Sequence, residues 1–159
     1  MNLIDTGIFL CLAFEEPGFE ECGHLLDRAD FGDFRVLLSS MQFTEIHTAF
    51  LRVEDAAGSR EIAETIWNMR PRVRDLDVEV AKTAAELRST VKTPGGRWLA
   101  LADSVILSTA LQEGANVVYT IDPDFIDVKQ VRVMAPEMEL REWIANYGTR
   151  KQRKRIGLK

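Results

Sequence analysis

Cysteine and histidine are scarce, with two of each in 159 residues. Cys11 and Cys22 can close one disulfide at most, and neither sits in a paired Cys or His spacing. That excludes a disulfide-stapled scaffold and argues against a zinc site as the organising feature. Both thiols are expected to be reduced and partly buried in neighbouring helices. The chain also lacks any run of about 18 apolar residues, the length a membrane-spanning helix requires. Its opening, Met1-Asn2-Leu3-Ile4-Asp5, has no basic start, and an acid falls where a secretory leader needs apolar residues. The expectation is a cytoplasmic protein with no membrane partner. No repeat of solenoid length and no linker-like stretch points to a second folded domain.

What is present is an ordinary globular composition, 46% hydrophobic and 28% charged, in a chain long enough to bury a core without covalent staples. The net charge of -5 conceals an asymmetry: Arg150 to Lys159 carries six basic residues and no acid, so without those six the remaining residues 1–149 stand at -11. An acidic body does not coat nucleic acid broadly. A small basic approach to an acidic, cation-filled cleft remains open to it, and the tail fits either that role or a solvated terminus.

Strand-like and helix-like stretches alternate. Asn2 to Ile4 precedes a helical run from Gly7 to Phe14; Pro17 restarts the chain into a helix with Phe19, Cys22, Leu25, Leu26 and Ala29 on one face. Arg35 to Leu38 reads as a buried strand capped by Ser39-Ser40, followed by a helix over Met41–Asp55. Gly58-Ser59 starts another helix, which Pro71 ends, and Arg72 to Asp77 suits an edge strand before a helix over Val80–Arg88. Lys92 to Trp98 is the most loop-like segment, with Trp98 expected to lie over the core; Trp67 and Phe43 are likewise expected there. A helix to Glu113 ends at Gly114, the strand Val117–Tyr119 follows, then a turn through Phe125, a strand at Val131–Val133 and a closing helix over Pro136–Tyr147. The expected fold class is α/β, a three-layer α/β/α domain around a short, mainly parallel sheet.

Four acids stand out by position. Asp5 follows the first strand, Glu45 lies early in the helix after the second, Asp103 opens a helix and Asp122 follows a later strand. Parallel α/β sheets bind ligands outside the carboxyl ends of their strands, so this topology can gather the four. Ionised carboxylates held together in a poorly solvated cleft need a counter-charge, and Mg²⁺ or Mn²⁺ suits oxygen ligands best. Each acid also fits a plainer role as a helix cap or surface group, since the chain holds 25 acids.

The motifs around these acids resemble those of the PIN-domain family, small metal-dependent ribonucleases that include VapC-type toxins of prokaryotic toxin-antitoxin pairs. Leu3 to Leu10 resembles the opening motif, Ser39 to Ile46 the second, Leu101 to Ala110 the third and Tyr119 to Phe125 the fourth. The resemblance runs through residues 1–147, a PIN-like nuclease domain, and leaves 148–159 as a basic C-terminal tail. It implies that Asp5, Glu45, Asp103 and Asp122 are catalytic and bind Mg²⁺ or Mn²⁺, with Asp124 as the substitute for Asp122. Thr6, Ser39 and Thr120 would support those ligands by hydrogen bonds, although each also suits a cap. Hydrolysis of RNA phosphodiesters would leave a 5'-phosphate and a 3'-hydroxyl. Lys92 and Arg97 are candidate RNA backbone contacts. An antitoxin partner and a homodimer are further implications, the latter drawing on the apolar faces around Phe14, Ile46, Phe50, Ile62 and Ile66, which equally suit the interior. Alternatives are a stand-alone RNA-processing nuclease and a non-catalytic RNA- or protein-binding module. A phosphatase using a nucleophilic acid is disfavoured, because Asp5-Thr6-Gly7 lacks a second nearby Asp.

Overall fold

The structure, a computed structural model, describes residues 1–158; Lys159, the end of the basic tail, lies outside the described residues. Five short strands, β1 (Asn2–Ile4), β2 (Val36–Ser39), β3 (Arg72–Arg74), β4 (Val117–Tyr119) and β5 (Arg132–Met134), form one sheet in the order β3-β2-β1-β4-β5. Every pairing is parallel. The central strands β1 and β2 are buried throughout, as strands covered on both faces must be, whereas the edge strands β3 and β5 carry exposed arginines. This is the α/β architecture with a short parallel sheet and flanking helices that the alternating pattern predicts.

The strand order fixes where a site can form. From β1 the chain builds outward through β2 and β3, then returns to place β4 on the other side of β1. The winding direction therefore reverses between β1 and β4, and a crevice opens beyond their carboxyl ends. Asp5 is the first residue after β1, and Asp122 lies three residues after β4.

The helices are α1 (Thr6–Ala13), α2 (Phe19–Asp30), α3 (Ser40–Arg52), α4 (Ala56–Asn68), α5 (Val78–Thr90), α6 (Leu101–Gln112), α7 (Leu140–Tyr147) and α8 (Arg150–Arg155). None is long and apolar enough to cross a membrane among the described residues. Helix α6 is buried from Ser104 to Ala110 on all sides, and both of its serine hydroxyls are internally satisfied, Ser104 Oγ donating to Ala100 O at 2.7 Å and Ser108 Oγ to Val80 O at 2.9 Å, whereas Thr109 Oγ1 is buried without a partner. Both cysteines are free and buried.

Several local expectations are corrected. Helix α4 begins before Gly58, because Asp55 caps it by accepting from the Gly58 N–H at 2.9 Å. A Cβ on Gly58 would stand 2.2 Å from Asp55 Oδ2 and 2.8 Å from Phe50 Cε1, so a glycine lets the cap and Phe50 close together. The last long helix starts at Leu140 rather than Pro136, since Glu137 takes φ 61 in a turn bridged by Ala135 and Met138. Trp98 does not cover the core: it is 54% exposed, under the Lys92 ammonium at 4.8 Å, while its neighbour Leu99 is fully buried. Trp67 is exposed and stacks on half-buried Phe43 at 5.5 Å, because the α4 seam of Ile62, Ile66 and Met69 leaves position 67 facing outward. Helix α3 ends at Arg52 rather than Asp55, and Val53, which follows it, is exposed. Of the apolar faces too large for the sheet, Ile46, Phe50, Ile62 and Ile66 prove internal, and only Phe14 is partly exposed.

Candidate functional site

Four elements deliver one carboxylate each to the crevice beyond β1 and β4. Asp5 ends β1 and caps α1, accepting from the Thr6 N–H at 2.7 Å. Glu45 reaches the same place because α3 is tied to β1: Gln42 Nε2 donates to Ile4 O at 2.7 Å, while Gln42 Oε1 accepts from the Ser39 N–H. Three residues on, almost one helical turn, Glu45 lies on the same side. Thr6 Oγ1 then donates to Glu45 Oε2 at 2.7 Å. Asp103 comes from the first turn of α6. Asp122 caps the 3₁₀ turn Pro123–Phe125, accepting from the Asp124 N–H at 2.8 Å.

These side chains line a single cavity of about 330 Å³, shared with Thr6, Gly7, Ile121, Pro123, Gln152 and Arg155. Gly7 permits the close wall: a Cβ there would stand 3.2 Å from Ile121 and 3.9 Å from Asp5 Oδ2. The 19 to 117 residues that separate the acids in sequence thus collapse onto one rim of the sheet.

The concentration of negative charge is visible in proton affinity. Burial, reinforced by Asp122 and Glu45, pushes the Asp5 carboxyl up to about 7, even though the Thr120 hydroxyl and the Thr6 amide pull the other way. Thr120 Oγ1 donates to Asp5 Oδ2 at 2.6 Å and accepts from the Asp122 N–H at 3.0 Å, so one hydroxyl joins the two strand ends. Asp103 rises further, to about 8, through burial and then repulsion from Asp122, Asp5, Asp124 and Glu45. Burial also raises Asp122, with Arg97 opposing. The set is oxygen-only and short of positive charge, the donor chemistry that suits a hard divalent cation. In this arrangement the carboxylates are not drawn into a cage: among the described residues no three His, Cys, Asp or Glu side chains already stand in a metal-binding group.

The remaining predicted residues divide. Thr6 and Thr120 touch the acids as supports. Ser39 does not line the cavity; its hydroxyl caps α3 at the Met41 N–H. Asp124 is also outside the lining, and its Oδ2 accepts from Arg155 Nη2 at 3.0 Å and Arg97 Nη2 at 3.5 Å. Arg97 therefore reaches the rim, while Lys92 lies over Trp98 instead. Sequence reading did not single out Gln42, Gln152 or Arg155. The only signal for the last two was the basic character of the C-terminal segment, which folds into α8 with Ile156 packed in the core.

The fold has close counterparts. The structure of FitAcB from Neisseria gonorrhoeae includes a chain 24% identical to this one, with a TM-score of 0.65 over 86% of this chain and 98% of that chain. A chain of the VapBC2 complex of Rickettsia felis, bound to a promoter DNA fragment, is 17% identical with a TM-score of 0.62, covering 84% and 97%. VapC20 of Mycobacterium tuberculosis, a toxin that cleaves the Sarcin-Ricin loop, is 14% identical with a TM-score of 0.63, covering 83% and 99%. No curated protein sequence matches the chain. The family model for the PIN domain matches residues 3–131, a span that contains Asp5, Glu45, Asp103 and Asp122, and the chain belongs to the PIN-domain family.

Proposed function

We propose that the chain is a divalent-cation-dependent endoribonuclease, a hydrolase in which Asp5, Glu45, Asp103 and Asp122 hold Mg²⁺ or Mn²⁺ and act directly in catalysis. The observation that carries this reading is the convergence of four carboxylates from four elements on one cavity, with two of them pushed toward neutral pH. When bound, the cation supplies Lewis-acid polarisation of a phosphoryl oxygen and an activated water for in-line displacement.

The protein's own residues prepare that chemistry. Thr120 and the Thr6 amide fix the Asp5 carboxylate from two sides, and the Thr6 hydroxyl fixes Glu45, so these two ligands are oriented before any cation arrives. Asp5 and Asp103 hold protons near neutral pH and release them as a cation binds, which makes cation affinity rise with pH. Neither histidine lines the cavity, so the carboxylate centre itself has to meet the need for a base.

The substrate is RNA presented as a single strand or loop, whose phosphates can enter an open cleft. The likeness to a chain of a toxin-antitoxin complex from Klebsiella pneumoniae and to VapC20, a Sarcin-Ricin loop cleaving toxin, supports a VapC-type toxin of the cytoplasm with an antitoxin partner. Exposed Trp67, stacked on half-buried Phe43, together with Leu51 and Val53 offers apolar surface for a homodimer. The nuclease domain spans 1–147, and the basic segment 148–159 is an addition to it.

The test is cleavage of a mixed pool of structured RNAs by the purified chain, with and without Mg²⁺ or Mn²⁺, beside D103N. Cation-dependent products with 5'-phosphates, absent with D103N, are expected. RNA binding without cleavage in either cation would make the chain a non-catalytic module.

A further inference from the structure

Among its carboxylates the cavity is lined by one guanidinium, Arg155, which comes from beyond the span matched by the family model, and Arg97 approaches it through Asp124. Helix α8 begins 19 residues after residue 131 and is firmly placed. Thr149 and Gln152 form a capping box at its start, with Gln152 Oε1 accepting from the Thr149 N–H at 2.7 Å. At its end, Arg141 Nη1 donates to Ile156 O at 3.1 Å, and Ile156 is buried in the core. Arg155 is therefore held from both sides, and its side chain is only 25% exposed. Its Nε stands 3.9 Å from where a Cβ on Gly95 would lie, so the loop before α6 and the C-terminal helix meet around this guanidinium.

Arg155 and Arg97 share one oxygen of Asp124. Two guanidiniums thus converge on one carboxylate oxygen at the edge of a cavity otherwise rich in carboxylates, Arg97 also acting on Asp122, while Asp124 Oδ1 is buried without a partner. A guanidinium carries five N–H donors in a planar fork, and the contacts to Asp124 use one from each arginine. A divalent cation at Asp124 would face two guanidiniums, whereas an anion beside them would be favoured.

We propose that Arg155, with Arg97, is the phosphate-binding side of the cavity, and that Asp124 is the positioning residue that holds the two guanidiniums rather than a cation ligand. The ligand is a backbone phosphate of a single-stranded RNA, taken through its non-bridging oxygens beside the acidic centre. The proposal rests on the nuclease reading for the identity of that strand. It assigns the C-terminal helix a part in substrate binding and separates the roles of Asp122 and Asp124.

The experiment measures fluorescence anisotropy of a short, labelled single-stranded RNA with the full chain in EDTA, from 50 to 200 mM KCl, so that binding is read without cleavage. R155Q should weaken binding about 5- to 20-fold at 100 mM KCl and make the log-log salt slope shallower by about 0.7, the change for one phosphate contact on a single strand. R155K should recover part of the affinity, since it keeps the charge and loses the fork. K82Q, which removes an exposed cation from α5, should do neither. In a parallel Mn²⁺ titration without RNA, D122N should lose affinity and D124N should stay within a few-fold of the parent. R155Q matching K82Q, no RNA binding by the parent chain, D124N losing Mn²⁺ as D122N does, or R155Q cleaving faster than the parent would each overturn the proposal. RNA bound through Arg155 but left intact in Mg²⁺ and Mn²⁺ would leave this assignment standing and remove the nuclease reading instead.

Discussion

Asp122 and Asp124 are separated by one proline and burial raises both carboxyls, yet the two side chains meet different partners. Asp122 faces the cavity with Asp5, Glu45 and Asp103, a group of carboxylates in need of positive charge. Asp124 is turned to Arg97 and Arg155, one carboxylate between two cations. The 3₁₀ turn makes the separation: Asp122 caps it from outside, and Asp124, inside it, leaves in a different direction. Residue type and sequence proximity therefore say less about an acid's role than the sign of the charge it meets. On the proposed reading a divalent cation would sit in the first setting and a backbone phosphate beside the two arginines of the second.

The largest expected effect comes from breaking the carboxylate side. D103N removes an anion from the centre of the group while keeping shape and size, and on the proposed reading it should cut cation-dependent RNA cleavage by at least about 10³-fold. Mn²⁺ affinity should fall with it, and circular dichroism should remain that of the folded chain. Cleavage persisting within tenfold of the parent would place the chemistry elsewhere.

A smaller effect should follow from removing a support and leaving every acid in place. T120V deletes the hydroxyl that donates to Asp5 Oδ2 and accepts from the Asp122 N–H. It should raise the Asp5 carboxyl further and lower Mn²⁺ affinity about 10- to 100-fold, the usual cost of losing a partner that orients a ligand. Isothermal titration checks it, and T120S should restore most of the affinity.

Stability against pH gives a third, smaller contrast. Asp5 and Asp103 stand at about 7 and about 8, against an ordinary value of 3.8. Between about pH 4 and 8 the folded chain thus holds protons that the unfolded chain has released. Their favourable contribution is full below pH 4 and is lost as pH rises through 7 to 8. In EDTA, D103N should therefore unfold at a higher temperature than the parent at pH 8.5, and the gap should shrink steadily as the pH is lowered toward 4. The gap should be a few degrees, since 1 kcal/mol moves a domain of this size by about 2–4 °C. Added Mn²⁺ should reverse the order at pH 8.5 by stabilising only the parent.

The sequence carries the carboxylate side of this contrast much more legibly than the cationic side. Asp5, Glu45, Asp103 and Asp122 sit at fixed offsets from strand ends and helix starts, and parallel topology carries such positions to one rim. Their motifs are local, so a local pattern reveals them. Arg155 comes from a run of basic residues in which no spacing distinguishes it from Arg153 or Lys154. Only packing singles it out, through Ile156 in the core and the Arg141 tether. The same limit explains Trp98 and Trp67: both types are at home in a core, but here Leu99 and Ile66 take the inward positions and the indoles are left outside. Gln42 is a related case, because a buried amide bridging β1 and α3 has the composition of any polar helix residue until its partners are known.

The smallest prediction tests the gradation within the cationic side itself. Arg97 and Arg155 touch the same oxygen, but Arg97 is 66% exposed and 3.5 Å away, against 25% and 3.0 Å for Arg155. An exposed, long ion pair contributes about 0–1 kcal/mol, because water screens it and a mobile side chain gives up entropy to hold it. R97Q should therefore leave the unfolding temperature unchanged within about 2 °C and weaken RNA binding only about two- to threefold, less than R155Q. The double variant should lose more than R155Q alone, since Arg97 can still meet the phosphate when Arg155 is gone. If R97Q instead proved the more damaging, the exposed loop rather than the anchored helix would provide the main phosphate contact, and the order of the two arginines would have to be exchanged.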